Sequence, residues 1–344
     1  MDLPGMHPRQ SVKDAPPACR TFFGLSVSKK LFLASFRQKI ISLTCLSRIS
    51  GLAVLALLLF LSAVPVSHAN WQPLTARLVA DGYDEENLQL LFTRPEVKFE
   101  PQVMAGKVSV LIGRDQDSPR SPGPLTHNNV YRGYLNSRVI TKARSFLREH
   151  RTLLNKASAS YGVPPEVVVS ILLVETRLGK STGRNIVFNR LASMAFSSDL
   201  ETIRPYLNRT VTSANEDNAR RWCHQKADWA YNELKALLDY AGTNSVDPLS
   251  IRGSIYGAIG LCQFMPSNIF SYGVDADKNG RIDPFVTPDA IHSIANYLHK
   301  HGWTRGINSE GRRKVIFAYN NSTTYVNTIL AVADKIGGSR AKRS

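Results

Sequence analysis

The chain has 344 residues, 43% of them hydrophobic and 20% charged, and a formal net charge of +16. That apolar fraction suffices for one large core or two ordinary ones and excludes a chain disordered throughout. The basic balance favours an anionic partner, whether nucleic acid, an anionic membrane surface or an acidic polymer, and does not by itself choose among them.

The N-terminus narrows the choice. Residues 51–66 form an apolar run that ends in Ser67-His68-Ala69, a small-x-small site of the kind signal peptidases cut. Lys29, Lys30, Arg37, Lys39 and Arg48 precede it, so the pattern is that of a secretory signal with a long basic leader. Ser62 and Pro65 interrupt the run, which is short against the ~20 apolar residues of a membrane span. A cleaved signal is therefore expected, with a retained anchor as the alternative and the only route to membrane contact. Export to the periplasm argues against nucleic acid as the partner. Cys19 and Cys45 lie in the leader, while Cys223 and Cys262 remain in the mature chain. In an oxidising compartment the latter two either pair or stay as buried thiols, and spacing does not decide.

Trp71, Leu74, Leu78 and Val79 recur at helical spacing, and a second helix is expected over Glu85–Phe92. Residues 94–129, rich in Pro, Gly and Ser, read as an extended segment with little regular structure. Ile140, Ala143, Phe146, Leu147, His150 and Leu154 keep a period near 3.6, predicting one helix that Gly162-Val163-Pro164 ends. Pro165 suits a first helical turn, and the following VVVSILLVETRLG is apolar almost all round, the mark of a core helix. Further helices are expected at 220–241, bounded by Gly242, then at 263–270, 288–301 and 324–336, with 243–260 as loop. No strand alternation and no repeat is evident. The fold class is mostly α, divided into a leader (1–69), an N-terminal helical and extended segment (70–136), a helical domain (137–338) and a basic tail (339–344).

Glu175 stands out. It follows Ile171-Leu172-Leu173-Val174 and sits where Leu178-Gly179 ends the helix. A desolvated carboxylate there has a raised pKa, and a carboxylic acid still protonated near neutrality can protonate a glycosidic oxygen. The plain alternative is a surface glutamate paired with Arg177. A second stretch, Ser254-Ile255-Tyr256-Gly257-Ala258-Ile259-Gly260-Leu261-Cys262-Gln263-Phe264-Met265-Pro266, sets polar Ser254 and Gln263 and polarisable Met265 among glycines that let the backbone approach closely. Alone it is equally a tight packing motif.

Taken together, V-E-T-R-x-G and G-S-x-x-G-A-x-G-x-x-Q-F-M-P resemble the membrane-bound lytic murein transglycosylase B family. Tyr161-Gly162-Val163-Pro164-Pro165-Glu166, Ser293-Ile294-Ala295-Asn296-Tyr297 and His301-Gly302-Trp303 agree with it. The resemblance implies a lysozyme-like helical domain with an N-terminal helical extension. It implies cleavage of peptidoglycan glycan strands between N-acetylmuramic acid and N-acetylglucosamine, leaving 1,6-anhydro ends. Glu175 then matches the catalytic glutamate. Ser254 would orient that glutamate or an N-acetyl group, and Gln263 and Tyr297 would contact substrate. Tyr319 and Asn320 match an AYN element, Tyr256 and Phe264 belong to the walls, and Met265 stays with Ser254 and Gln263 as a candidate substrate contact. Cell-wall synthesis proteins are the implied protein partners. A goose-type lysozyme hydrolase and a non-catalytic peptidoglycan-binding protein are the alternative readings.

Residues 275–283, DADKNGRID, begin like an EF-hand loop. Asp275, Asp277 and Asn279 occupy positions one, three and five, the Arg281 carbonyl seven, and Gly280 the sharp turn. Position twelve is Val286 rather than glutamate, and the resemblance assigns the last ligand to Asp289. No cofactor is expected for catalysis. The loop reads either as a structural Ca²⁺ site or as an Asx-rich turn without metal.

Overall fold

Residues 70–116 and 129–338 are described by the computed structural model. The leader with its apolar run, Cys19 and Cys45, residues 117–128 and the basic tail lie outside the described residues.

The described residues open with α1 (Gln72–Ala80) and α2 (Glu85–Phe92), the second started by the Asp84 side chain, which accepts the Asn87 amide at 2.8 Å. Trp71 is the anchor of this part. Its ring lies 5.4 Å from Phe92, 5.9 Å from Phe99 and 5.4 Å from Phe196, in tilted or edge-on contacts. Phe92 in turn meets Phe188 at 5.1 Å. The N-terminal helices thus share one hydrophobic core with the rest of the described chain, and the change of sequence character near residue 136 is no boundary between cores.

Two expectations fail in the next stretch. Gln102–Gln116 is helical (α3), where an extended segment was expected. Val103, Met104, Ala105, Val108 and Ile112 are buried along one face, and that burial outweighs the loop-like composition around them. The single helix expected from Ile140 to Leu154 is two, α4 (Ser137–Glu149) and α5 (Arg151–Tyr161). Its apolar period runs on through His150, but the backbone there leaves the helical region. Asn136 caps α4 through the Val139 amide at 3.0 Å.

The core helix is α6 (Pro165–Thr176), with eight buried residues, among them Val167–Leu173 without a break. It is followed by a two-residue strand β1 (Asn185–Ile186), α7 (Val187–Phe196), a short turn of helix α8 (Leu200–Ile203) and the long α9 (Glu216–Asn244). Gly242 lies inside α9 rather than ending it; Ser245, in the left-handed conformation, is the terminator. Strand β2 (Arg252–Gly253) pairs antiparallel with β1, Asn185 against Gly253. Bridges from Gly253 to Ile259 and from Ile259 to Phe264 extend the pairing. Four helices complete the fold: α10 (Pro266–Tyr272), α11 (Thr287–Lys300), α12 (Ser309–Tyr319) and α13 (Thr323–Gly337).

The expected helix at 263–270 starts only at Pro266, because Gln263 takes a left-handed φ of 50° and Phe264 pairs with Ile259 instead. Helices α7 and α12 were not expected. Helix α13 packs along α6, α9 along α7 and α3, and α11 along α5. The class is mostly α, with β1 and β2 the two named strands among the described residues. None of the described helices alone is long and apolar enough to cross a membrane.

Candidate active site

The end of α6 is built to stop abruptly. Arg177 and Leu178 hold left-handed φ values of 53° and 61°, and Gly179 follows at 84°. For side chains with a Cβ that conformation costs about 1 kcal/mol or more per residue, so the surroundings must enforce it. Thr176 does so. Its hydroxyl faces the Leu261 carbonyl at 3.1 Å and accepts the Gly179 amide at 3.0 Å. The α6 terminus is thereby tied to the loop that carries Gln263.

Glu175, the penultimate residue of α6, is partly exposed at this junction, with its carboxyl packed among protein atoms. Burial pushes its pKa from 4.5 up to about 7, against an opposing hydrogen bond. That bond comes from Tyr325, whose hydroxyl donates to Glu175 Oε1 at 2.8 Å. No carboxylate among the described residues acts on Glu175, and Arg177 forms no ion pair with it. The surface-pair alternative therefore falls. A carboxyl with this pKa holds a proton for a sizeable fraction of molecules near neutrality and releases it without strain.

Tyr325 was missed by sequence reasoning. It lies in the first turn of α13, and Ser322 caps that helix through the Tyr325 amide at 3.3 Å. Only the packing of α13 on α6 brings it to Glu175. Tyr134 was missed too; its hydroxyl donates to the Val174 carbonyl at 3.1 Å, beside the acid.

Behind Tyr325 stands an aromatic stack. The Tyr325 and Tyr319 rings are parallel within 6° at 6.4 Å, and Tyr319 meets Tyr297 at 4.9 Å and Phe264 at 5.9 Å. Tyr319 donates its hydroxyl to the Cys262 carbonyl at 2.5 Å, and Tyr297 donates to the Ala318 carbonyl at 2.8 Å. Both phenols are spent on backbone, and Tyr297 is 7% exposed. Tyr297 is placed to support Tyr319 rather than to offer its hydroxyl to a ligand, which corrects the expected contact. Burial holds the Tyr325 and Tyr319 phenols well above their usual range, so both stay protonated.

The polar residues leave distinct faces open. Ser254 Oγ accepts the Ala258 amide at 2.9 Å and the Tyr256 amide at 3.3 Å, which leaves its proton to donate. It shapes the turn after β2 and makes no bond to Glu175, contrary to one of its two expected roles. Gln263 donates to the carbonyls of Thr182 at 3.1 Å and Gly260 at 2.9 Å, leaving its amide oxygen as an acceptor. Asn320 is exposed between α12 and α13, and its side chain makes no hydrogen bond among the described residues. Met265 is half-buried at the start of α10, and Tyr256 carries the Lys107 ammonium of α3 over its ring at 4.6 Å. The loop is anchored from behind by buried Glu233 of α9, which accepts both the amide and the hydroxyl of Ser267, at 3.0 and 2.8 Å. Cys223 and Cys262 are free and buried, which settles the open pairing, and burial raises their thiols to about 11 and about 12.

In the acidic loop, carboxylate oxygens of Asp275, Asp277 and Asp289 converge within 4.8 Å of one another. Asp289 is fully buried, accepts the amides of Ala276 and Asp283, and has its pKa raised by that burial. Gly280 takes the turn with φ 84°, and Asn279 Oδ1 accepts the Arg281 amide at 2.9 Å.

Comparison with known proteins bears on the family and the fold. The family described as Transglycosylase SLT domain matches residues 67–313. The membrane-bound lytic murein transglycosylase B of Escherichia coli (strain K12) is 34% identical over 182 residues, 53% of this chain and 41% of that protein. The chain thus spans less than half the length of this curated relative. Among solved structures, the E. coli lytic transglycosylase SLT35 in complex with bulgecin A superposes with a TM-score of 0.60 at 23% identity, over 79% of this chain and 94% of that one. Soluble lytic transglycosylase SltB1 from Pseudomonas aeruginosa gives 0.60 at 24%, over 79% and 99%. SltB3 from the same organism, in complex with NAG-anhNAM-pentapeptide, gives 0.55 at 22%, over 79% and 80%. At these identities the structural likeness establishes the fold, and with the family match covering more than half of its length, the chain belongs to the transglycosylase SLT domain family.

Proposed function

We propose that the chain is a lytic transglycosylase of peptidoglycan that uses Glu175 as acid and then as base. The observation that carries this is a lone carboxyl, raised to about 7, held by Tyr325 at the end of a core helix. Protonated Glu175 gives its proton to the oxygen between N-acetylmuramic acid and N-acetylglucosamine, and the C1–O bond breaks to an oxocarbenium-like state. The C6 hydroxyl then bonds to C1 while the Glu175 carboxylate takes its proton. A 1,6-anhydro ring closes, no water is consumed and the acid is restored. A single titrating group suffices for this cycle, and its pKa near the working pH suits both halves. The Ser254 proton, the Gln263 oxygen and the Asn320 amide are the groups proposed to meet saccharide hydroxyls and acetamides. Tyr319, Tyr256 and Met265 supply the walls, and Tyr297 supports them.

The secretory pattern before Asn70 supports action in the periplasm. We further propose that Asp275, Asp277, Asn279, the Arg281 carbonyl and Asp289 hold a structural Ca²⁺. The donor set is all oxygen, and a cation offsets the burial of Asp289 among neighbouring carboxylates. Its part would be to staple the loop before α11, and the chemistry needs nothing from it.

The test is mass spectrometry of muropeptides released from purified peptidoglycan by the chain from Asn70 onward, beside Glu175→Gln. Anhydro ends from the wild type and silence from the variant are expected. Reducing ends would mean a hydrolase, and products from the variant would refute Glu175 as the acid. Binding without cleavage by a folded wild type would favour a wall-binding protein.

A further inference from the structure

Among the described residues, three buried side-chain atoms have no hydrogen-bond partner: Glu100 Oε2, Asn189 Oδ1 and Arg190 Nε. All three residues line one cavity of about 450 Å³, where the stretch before α3 crosses the start of α7. Side chains build that crossing. Asn189 Nδ2 donates to the Glu96 carbonyl at 2.8 Å, and the Glu100 amide donates to Ser193 Oγ at 2.8 Å. With its nitrogen held there, Asn189, only 2% exposed, has its oxygen left over as an acceptor. Glu100 Oε2 and Arg190 Nε lie 3.2 Å apart as an ion pair, but out of line for a hydrogen bond. Burial raises the Glu100 pKa against the pull of Arg190 and Lys98. A buried polar atom left unpaired is costly, and three around one cavity call for a partner from outside the chain.

The three atoms define that partner by exclusion. The Arg190 guanidinium repels a metal cation, while the Glu100 carboxylate and the Asn189 oxygen disfavour an anion. A neutral group whose hydroxyls both donate and accept satisfies all three. Ile186 and Pro95 add apolar surface for the face of a ring. The volume lies in the range of small-ligand sites, about 300–1,000 Å³. The cavity is also joined to the cleft. Arg190 Nη2 donates to Asn185 Oδ1, and Asn185 Nδ2 donates to the Gly253 carbonyl at 3.3 Å, one residue before Ser254. Arg184 lines both this cavity and the groove at the end of α6. We infer that Glu100, Asn189 and Arg190 form a distal saccharide subsite, which grips the glycan strand away from the bond that breaks and so favours long strands over short ones. The inference rests on the proposed peptidoglycan activity, which supplies the strand that carries a sugar there.

The experiment compares kcat/KM on long glycan strands and on the shortest strand cleaved, for the wild type and for Glu100→Met/Arg190→Met. Removing both charges together leaves no buried ion alone, and circular dichroism melts check the fold. A hydrogen bond to a charged group contributes a factor of about ten or more, so the long-to-short ratio is expected to fall about 10-fold in the variant. A loss that is equal on long and short strands means that the pair only braces the Ser254 turn, and overturns the inference. In parallel, the hexamer of β-1,4-linked N-acetylglucosamine is titrated by NMR into Glu175→Gln, whose cavity is untouched. Shifts of the Asn189 Nδ2 and Arg190 Nε resonances alongside those of Gln263 support the subsite. If Gln263 shifts while those two stay fixed, the cavity holds water only and the inference fails. Should the wild type cleave no strand, the activity reading fails, and the titration alone decides the cavity.

Discussion

Glu175→Gln should make the protein more stable at alkaline pH while abolishing its activity. In the native state the Glu175 carboxyl titrates near 7, against 4.5 for an ordinary glutamate. Below pH 4.5 the group is protonated in both the folded and the unfolded chain, and it favours neither. Between 4.5 and about 7 the unfolded chain ionises while the folded one stays neutral, so stability falls by about 1.36 kcal/mol for each pH unit. Above about 7 the loss is complete, at no more than about 3 kcal/mol. Glutamine keeps the shape and still accepts from Tyr325, but has no charge to desolvate. The stability gain of the variant should therefore be near zero at pH 4.5 and approach about 3 kcal/mol at pH 8.5, or roughly 6–10 °C in Tm for a domain of this size. Calorimetric melts of both proteins at the two pH values measure it. A Tm difference that is the same at both would refute burial as the cause of the raised pKa.

Tyr325→Phe removes the donor that holds the carboxyl down, so the alkaline limb of the pH–rate profile should move upward from about 7 and the rate fall by about 10-fold or more; an unmoved limb would count against the bond. Gly183→Ala should unfold the β1–β2 pairing, since its φ is 104° and an added Cβ would sit 2.0 Å from the Gly253 carbonyl oxygen. Gly82→Ala, with φ 96° and open space, is the control, expected to cost only about 1 kcal/mol in urea titrations. Millimolar Ca²⁺ should raise the Tm of the wild type and leave that of Asp289→Asn unmoved, and equal responses would exclude Asp289 as a ligand. Iodoacetamide should fail to label Cys223 and Cys262 in the native protein, and reductant should leave its Tm unchanged; rapid labelling would show that the thiols are not buried as described.

Much of this protein follows from local pattern alone. The apolar run from Val167 to Leu173 has to be a core helix, because no face of it tolerates water. Pro165 before it and Leu178-Gly179 after it set its limits, and Glu175 is conspicuous because it follows the apolar run directly, whereas Glu166 sits in the first turn where a carboxylate suits the helix dipole. The Asx-rich loop from Asp275 and the glycines around Ser254 were legible for the same reason: each needs particular residue types at fixed spacing. Helix α3 was not, since its Gly-containing sequence turns helical only where Met104, Val108 and Ile112 are buried. Nor was the division of labour among the tyrosines. Tyr297, Tyr319 and Tyr325 are equal in sequence, and only the packing of α13 on α6 gives one of them to Glu175 while the other two bond to backbone. Sequence by itself singled out the helix that carries Glu175. The tertiary structure decided what surrounds that acid, and so its pKa, because desolvation and hydrogen bonding come from residues up to 150 positions away.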